Sequence, residues 1–318
     1  MSPRSLCLCA ALSAGCAPKG PPPAVPSPPA IASPPSTSLD GRIYEVSARR
    51  FVTRAELEAK LAAADFVLLG EKHDDPLHHR LQAEAVLALL AKGRKPAVAF
   101  EMLDVGKQAT VDTSRAAGAD ATALAHAVDW EHSGWPPFDL YKPVFAAALA
   151  GALPIVAANL PRADVRKLAH GGADAAALAR LGVDQPLREP LAGSLRRELR
   201  DSHCGQLPEE MIEPMVLAQR ARDVEMATMM VAAGQGRGAV LVAGAGHVRT
   251  DRGVPMELAR RAPGAKIVSV AFEEVAASAS EVSAYRDEPY DFLWFTPTFD
   301  RGDPCAQFGA AKRGPASK

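Results

Sequence analysis

Two G-x-x-H tetrads, Gly70-Glu71-Lys72-His73 and Gly244-Ala245-Gly246-His247, each follow a short apolar run, Phe66-Val67-Leu68-Leu69 and Val240-Leu241-Val242-Ala243. An apolar run that ends at glycine and turns polar is the pattern of a buried parallel strand opening into a loop. In open α/β sheets those loops carry the ligand. Both histidines are therefore expected at the same rim of one sheet, as halves of one site. Further strand-like runs at 97–100, 155–158, 267–271 and 292–295 alternate with helical patterns at 53–63, 76–92, 138–150, 161–169, 209–233 and 255–261. Such alternation predicts an α/β fold, a mostly parallel central sheet flanked by helices. In 76–92, Leu77, Leu81, Ala85 and Leu89 recur every four residues, enough for one buried stripe. The stretches 116–127, 174–181 and 191–200 also read as helical and predict an insertion or lid between strands.

With 48% hydrophobic and 23% charged residues the chain can fill a core. A net charge of −1 without a basic run excludes the electrostatic footprint of nucleic-acid binding. The N-terminus has Arg4, an apolar stretch over 6–12 and the small-residue exit Ser13-Ala14-Gly15-Cys16. This reads as a bacterial lipoprotein signal with lipid on Cys16, although Ser13 stands where such signals usually place leucine. The next segment is dense in proline, from Pro18 to Pro35, and predicts an extended tether. The expected organisation is a signal peptide at 1–16, a tether at 17–40, a globular body at 41–300 and a disordered tail at 301–318, anchored in the cell envelope at the outer membrane. Cys204 and Cys305 are the two cysteines that remain in the body and tail. They make neither a disulfide scaffold nor a cysteine-based zinc site, and an oxidising compartment would let them bridge.

Four strands deliver polar residues at equivalent ends: Glu71 and His73, Glu101, Asn159 and His247. Carboxylates and imidazoles converging on a rim can bind a divalent metal or transfer protons, whereas each alone is an ordinary loop residue. His78 and His79 open a helix, where histidine is ordinarily solvated. Met211, Met215, Met226, Met229 and Met230 read as core filler. His203-Cys204 stays open between a metal contact and a structural turn, and Trp130, His132 and Trp135 between a lid or dimer surface and a satellite core.

An ordered set of motifs now stands out. It comprises Leu69-Gly70-Glu71-Lys72-His73-Asp74 with His78-His79, Phe100-Glu101-Met102, Ala158-Asn159-Leu160-Pro161-Arg162, His203-Cys204-Gly205, Ala218-Gln219 with Arg222-Asp223, and Gly246-His247-Val248-Arg249 with Gly253-Val254-Pro255. The chain resembles the ChaN-like cofacial haem-binding lipoproteins, grouped with the Tiki and TraB proteins in a superfamily marked by paired G-x-x-H tetrads. The resemblance implies a homodimer over two stacked haems, a role in haem or iron uptake or handling, and a membrane anchor. Each iron would be held by a tyrosine of one subunit and its propionates by a histidine and a lysine of the other. Tyr141, in an aromatic, proline-containing context, is the expected iron ligand, and phenolate suits ferric iron. Lys72, Lys142, His73, His78, His79, Asn159, His247 and Arg249 are the remaining haem-contact candidates.

A rival reading comes from the other branch of that superfamily, metal-dependent hydrolysis of a peptide or ester. Glu71 or Glu101 would then be the general base on a water held by a divalent metal, with His73, His247, Glu71 and Glu101 as the ligand pool. The sequence lacks H-E-x-x-H, which excludes the known zincin arrangement.

Overall fold

The computed structural model describes residues 38–172, 174–276, 279–302 and 305. The expected signal peptide, most of the tether and most of the tail lie outside them. An eight-stranded sheet runs through the body, formed by β1 (Ile43–Glu45), β2 (Arg50–Val52), β3 (Phe66–Glu71), β4 (Ala97–Asp104), β5 (Ile155–Asn159), β6 (Ala239–Gly244), β7 (Ile267–Val275) and β8 (Phe292–Pro297). Its order is β2-β1-β8-β7-β3-β6-β4-β5. From β8 to β5 every pairing is parallel, while β1 and β2 add an antiparallel edge. The expected mostly parallel α/β sheet is what forms, and β1 and β2 extend it at one edge.

Alternation along the strands explains the layers. Val67, Leu69, Val98, Phe100, Val240, Val242, Val270 and Phe272 share one core with α1 (Arg54–Ala63), α2 (Pro76–Ala91), α3 (Gln108–Ala116), α4 (Ala121–Ala127) and α5 (Phe138–Ala150). Their neighbours Phe66, Leu68, Ala97, Ala99, Leu241 and Ala243 point the other way, against Met226 and Met230 of α9 (Glu209–Gly234) and Leu258 of α10 (Val254–Arg261). Both faces of each central strand are thus covered, which is why these runs read as continuously apolar. In the first core Phe100 stacks on Phe145 at 4.0 Å, and burying each such ring contributes about 1.5–3 kcal/mol.

Local chemistry sets the helix starts. Thr53 and Glu56 form a reciprocal capping box on α1, and the Asp75 carboxylate accepts from the Leu77 amide before α2, with Pro76 opening the first turn. The stretch expected as one helix over 116–127 is divided. It ends α3 at Ala116, turns through Gly118 at φ +75°, and restarts as α4 under an Asp120 cap. The turn needs a left-handed residue, which glycine supplies without strain. The smaller helices α6 (Arg162–Ala169), α7 (Ala175–Arg180) and α8 (Leu191–Ser202) pack on α9, so the helices expected over 174–181 and 191–200 form satellites on it.

At the C-terminal end the bridge open to Cys204 and Cys305 is formed. Arg301 pairs with Asp74 and Glu274, and Cys305 is disulfide-bonded to Cys204. The start of the expected disordered tail is therefore tied to the body by charge and by a covalent bridge, and Cys204 is a structural residue.

Candidate functional site

The two tetrads meet because their strands are neighbours. In the β3–β6 register Gly70 opposes Ala243 and Glu71 opposes Gly244. A Cβ on Gly70 would collide with Val248 and stand 3.0 Å from the Ala245 Cα, and one on Gly244 would come within 2.9 Å of His73 Nε2. Each glycine is there to let the other tetrad approach.

Around the first tetrad, Glu71 is buried. Its Oε1 lies 2.9 Å from His73 Nδ1 and its Oε2 2.8 Å from His79 Nδ1. His79 Nε2 donates to the His73 carbonyl at 3.0 Å, and its Nδ1 also faces Gln82 Oε1 at 3.2 Å. The Gln82 amide is oriented by donating from Nε2 to the Leu69 carbonyl. Both ring nitrogens of His79 thus face acceptor oxygens, an arrangement that favours its doubly protonated form. Burial opposes its charge, yet Glu71 raises its pKa. Burial would likewise raise Glu71, but His79 and His73 hold it down at about 2. His78 is its opposite: burial lowers it to about 3, and its Nδ1 accepts the Lys72 amide at 3.0 Å. The expectation that His78 and His79 are solvated fails, since both have zero exposure and knit α2 to β3 and β8.

The second tetrad is built on different partners. Glu101, buried at the end of β4, accepts the Gly244 amide at 2.7 Å and pairs with Arg222. His247 Nε2 lies 3.4 Å from Glu101, and its Nδ1 lies 2.6 Å from Asp223. Burial disfavours the imidazolium, but Glu101 and Asp223 raise His247 to about 9. Burial also opposes Glu101, which His247 and Arg222 keep well below the ordinary carboxylate range. Asn159 completes the set, donating to the Glu101 carbonyl at 2.8 Å and accepting from Arg222 at 3.1 Å. Two carboxylates and two cations therefore neutralise one another out of water, the condition under which buried charges are tolerated.

Gln219, Arg222 and Asp223 were not picked out as site residues from the chain. Their i, i+3, i+4 spacing on α9 puts all three on one helix face, and that spacing was the available signal. The proposed metal set His73, His247, Glu71 and Glu101 is not a coordination cluster. Among the described residues the group whose ligand atoms lie within 4.8 Å of one another is Asp75, His78 and Glu274. His247 Nε2 lies 3.0 Å from Gln219 Nε2, and Arg222 pairs with Glu101, which brings a positive charge into this set.

Of the remaining candidates, Lys72 pairs with Glu274 at 2.9 Å, Arg249 with Asp251 at 2.8 Å, and Lys142 is exposed on α5. Tyr141 was expected to edge a pocket. It has no exposure and packs on His79 at 4.1 Å, with its hydroxyl 3.3 Å from the His73 carbonyl. Burial first, and Glu71 and Glu101 after it, raise its pKa and keep it a neutral phenol.

Above this lattice the carboxyl ends of β4 and β5 open into a cleft of about 570 Å³. Glu101, Asn159 and Arg222 reach its floor, while Met102, Leu103, Trp130, Trp135 and Leu160 give apolar walls. Trp135 meets the His73 ring edge-on at 4.9 Å, joining wall to lattice. Lys107, Arg162 and Arg166 also line the cleft, and none has an ion pair among the described residues. The Trp130, His132, Trp135 group is thus a cleft wall at the end of the parallel strands, where doubly covered sheets place ligands.

Sheet, tetrads and cleft define an α/β ligand-binding protein. Residues 57–258 match the family described as haem-binding uptake, Tiki superfamily, ChaN, and the chain belongs to that family. Among solved structures it is similar to one described as cofacial heme binding to ChaN of Campylobacter jejuni, at 22% identity and TM-score 0.65, covering 82% of this chain and 98% of that one. Fainter likenesses reach the type III effector HopBA1 at 14% identity and TM-score 0.42, over 76% of this chain and 92% of that one. A mutant of the erythromycin esterase EreC in its open conformation gives 15% and 0.43, over 75% and 77%. Comparison with curated protein sequences found no match.

Proposed function

We propose that this chain binds haem in the cleft over β4 and β5, as a haem-handling protein of the cell envelope. The observation that carries the reading is one cavity with tryptophan and aliphatic walls and three cations, Lys107, Arg162 and Arg166, that form no ion pair among the described residues, although Asp104 and Asp129 line the same cleft. A flat apolar macrocycle with two carboxylates calls for that combination, and the volume falls within the roughly 300–1,000 Å³ of ordinary ligand pockets. The walls would hold the ring, and the cations would hold the propionates by charge-assisted hydrogen bonds. Haem would supply an iron centre whose behaviour is set by its axial ligand and the polarity around it. Membership of a haem-binding family and the fold shared with the Campylobacter protein support this reading.

The same reading includes a homodimer, supported by the cofacial binding described for that relative, and a lipid anchor on Cys16, supported by the sequence pattern around it. The metal-dependent hydrolase has less support, because among the described residues His73, His247, Glu71 and Glu101 do not gather into a metal-ligand group and Arg222 pairs with Glu101. Haemin titration followed by absorption tests the proposal. A saturable Soret change is expected in the native chain, weakened at least tenfold when Lys107, Arg162 and Arg166 are all changed to glutamate. No saturable change, or a triple variant that binds as the native chain does, overturns it.

A further inference from the structure

Resting on the haem reading, we propose that the Cys204–Cys305 bridge is a redox-responsive clamp on the cleft, opened by a dithiol reductant to loosen the first-tetrad loop and weaken haem binding.

The clamp joins the loops of both tetrads. At one end Cys204 lies two residues beyond α8, in a left-handed turn at φ 56° fixed by its amide donating to the Asp201 carbonyl at 3.0 Å. Helix α8 reaches the second tetrad, where Glu198 pairs with Arg252 and its Oε1 lies against Gly246. At the other end Cys305 follows β8, where Thr298 donates to the Val275 carbonyl at 2.8 Å and Arg301 Nε donates to Asp74 at 2.8 Å. The same guanidinium spans both oxygens of Glu274, a 3% exposed carboxylate that Lys72 also meets at 2.9 Å. Asp74 adjoins His73, and His73 meets Trp135 of the cleft wall at 4.9 Å. A continuous set of contacts thus runs from the sulfur bridge to the haem cleft.

The covalent link gives those contacts their strength. The Asp74 side chain is 48% exposed, so its pair with Arg301 is weak unless the guanidinium is held in place. A cross-link between residues 101 apart in sequence removes much of the freedom that would let Arg301 leave. Cys305 is exposed and Cys204 half-buried, so an attacking thiolate can reach the bridge. In the exchange the dithiol supplies two electrons and two protons. The Sγ–Sγ bond breaks, each Sγ takes a hydrogen, and the dithiol closes into its own disulfide.

The full chain is reduced with dithiothreitol, its thiols are capped with iodoacetamide and the reagents are removed. The oxidised control is capped without reduction. Cys204→Ser combined with Cys305→Ser gives the open state without a capping group, and Arg301→Ala breaks the ion pairs with the bridge intact. Hydrogen exchange and ferric haemin titration are the readouts. Relative to the oxidised chain, the reduced chain and the double serine variant are expected to exchange at least tenfold faster over 72–75 and 298–302 and to bind haemin three- to tenfold more weakly. Amides of the β4 core at 97–100 keep their protection, and Arg301→Ala reproduces the faster exchange over 72–75. Unchanged exchange over 72–75, equal haemin affinity in the oxidised and open states, or an equal loss of protection at 97–100 overturns the clamp while haem binding stands. Absence of saturable haemin binding in the oxidised chain overturns the haem reading and the clamp with it.

Discussion

The two tetrads share a spacing and sit on adjacent strands, yet they end in different physical states. His73, 36% exposed at its side chain, leans on Trp135 at the cleft wall, whereas His247, 3% exposed, is clamped between Glu101 and Asp223. The difference comes from what packs behind each loop. Behind the first stands α2, which offers His79, a second imidazole that takes up the Glu71 charge. Behind the second stands α9, which offers Arg222 and Asp223 and so locks both Glu101 and His247. One motif therefore supplies a supporting post for the cleft, and the other a sealed charge lattice beneath it.

The largest expected effect breaks that lattice. Glu101→Ala leaves Arg222, His247 and the Gly244 amide without their shared partner, and loss of one member of a buried ionic set costs roughly 3–5 kcal/mol. Urea unfolding should show a loss of unfolding free energy of that size. An effect below about 1 kcal/mol would mean that water reaches these groups and that the second tetrad is not sealed.

Glycine substitutions sharpen the comparison at smaller scale. Gly70→Ala forces a methyl group into Val248 and toward the backbone at Ala245, and overpacking of this kind costs about 1–3 kcal/mol. Gly244→Ala meets the ring end of His73, which can swing toward the cleft. It should therefore destabilise less and disturb haemin affinity more. Thermal melts and haemin titrations on the pair check the prediction, and the reverse ordering would contradict the packing described here.

Much of this was legible in the chain. The six parallel strands follow from apolar runs that end at polar residues, and the convergence of Glu71, Glu101, Asn159, His73 and His247 follows from the rule that parallel strands deliver their ends to one rim. Charge state was not legible. His78 and His79 are sequence neighbours with no exposure, yet burial pushes one down to about 3 while Glu71 raises the other above its ordinary value. That contrast depends on whether Glu71 or the Lys72 amide happens to face each ring. Tyr141 was misplaced for a related reason, because the aromatic loop before it folds over α5 and turns an expected pocket edge into core. The cleft has no local signal, since its walls come from the end of β4, the turn after it and the irregular 128–135 segment, where no periodicity marks a face. The Cys204–Cys305 bridge was open in the sequence, whereas the Arg301 ion pair with Asp74 is a tertiary constraint with no local signal.

Nuclear magnetic resonance titration of the histidine imidazoles tests the central claim most directly, that the second tetrad is a locked structural charge. His247 has a folded pKa of about 9 against an ordinary 6.5, so the stability it contributes is complete below pH 6.5 and is lost as pH rises through 9. Its ring signals should hold imidazolium shifts through neutral pH and move only near pH 9. A His247 that titrates near 6.5, as a solvated loop histidine does, would contradict the account.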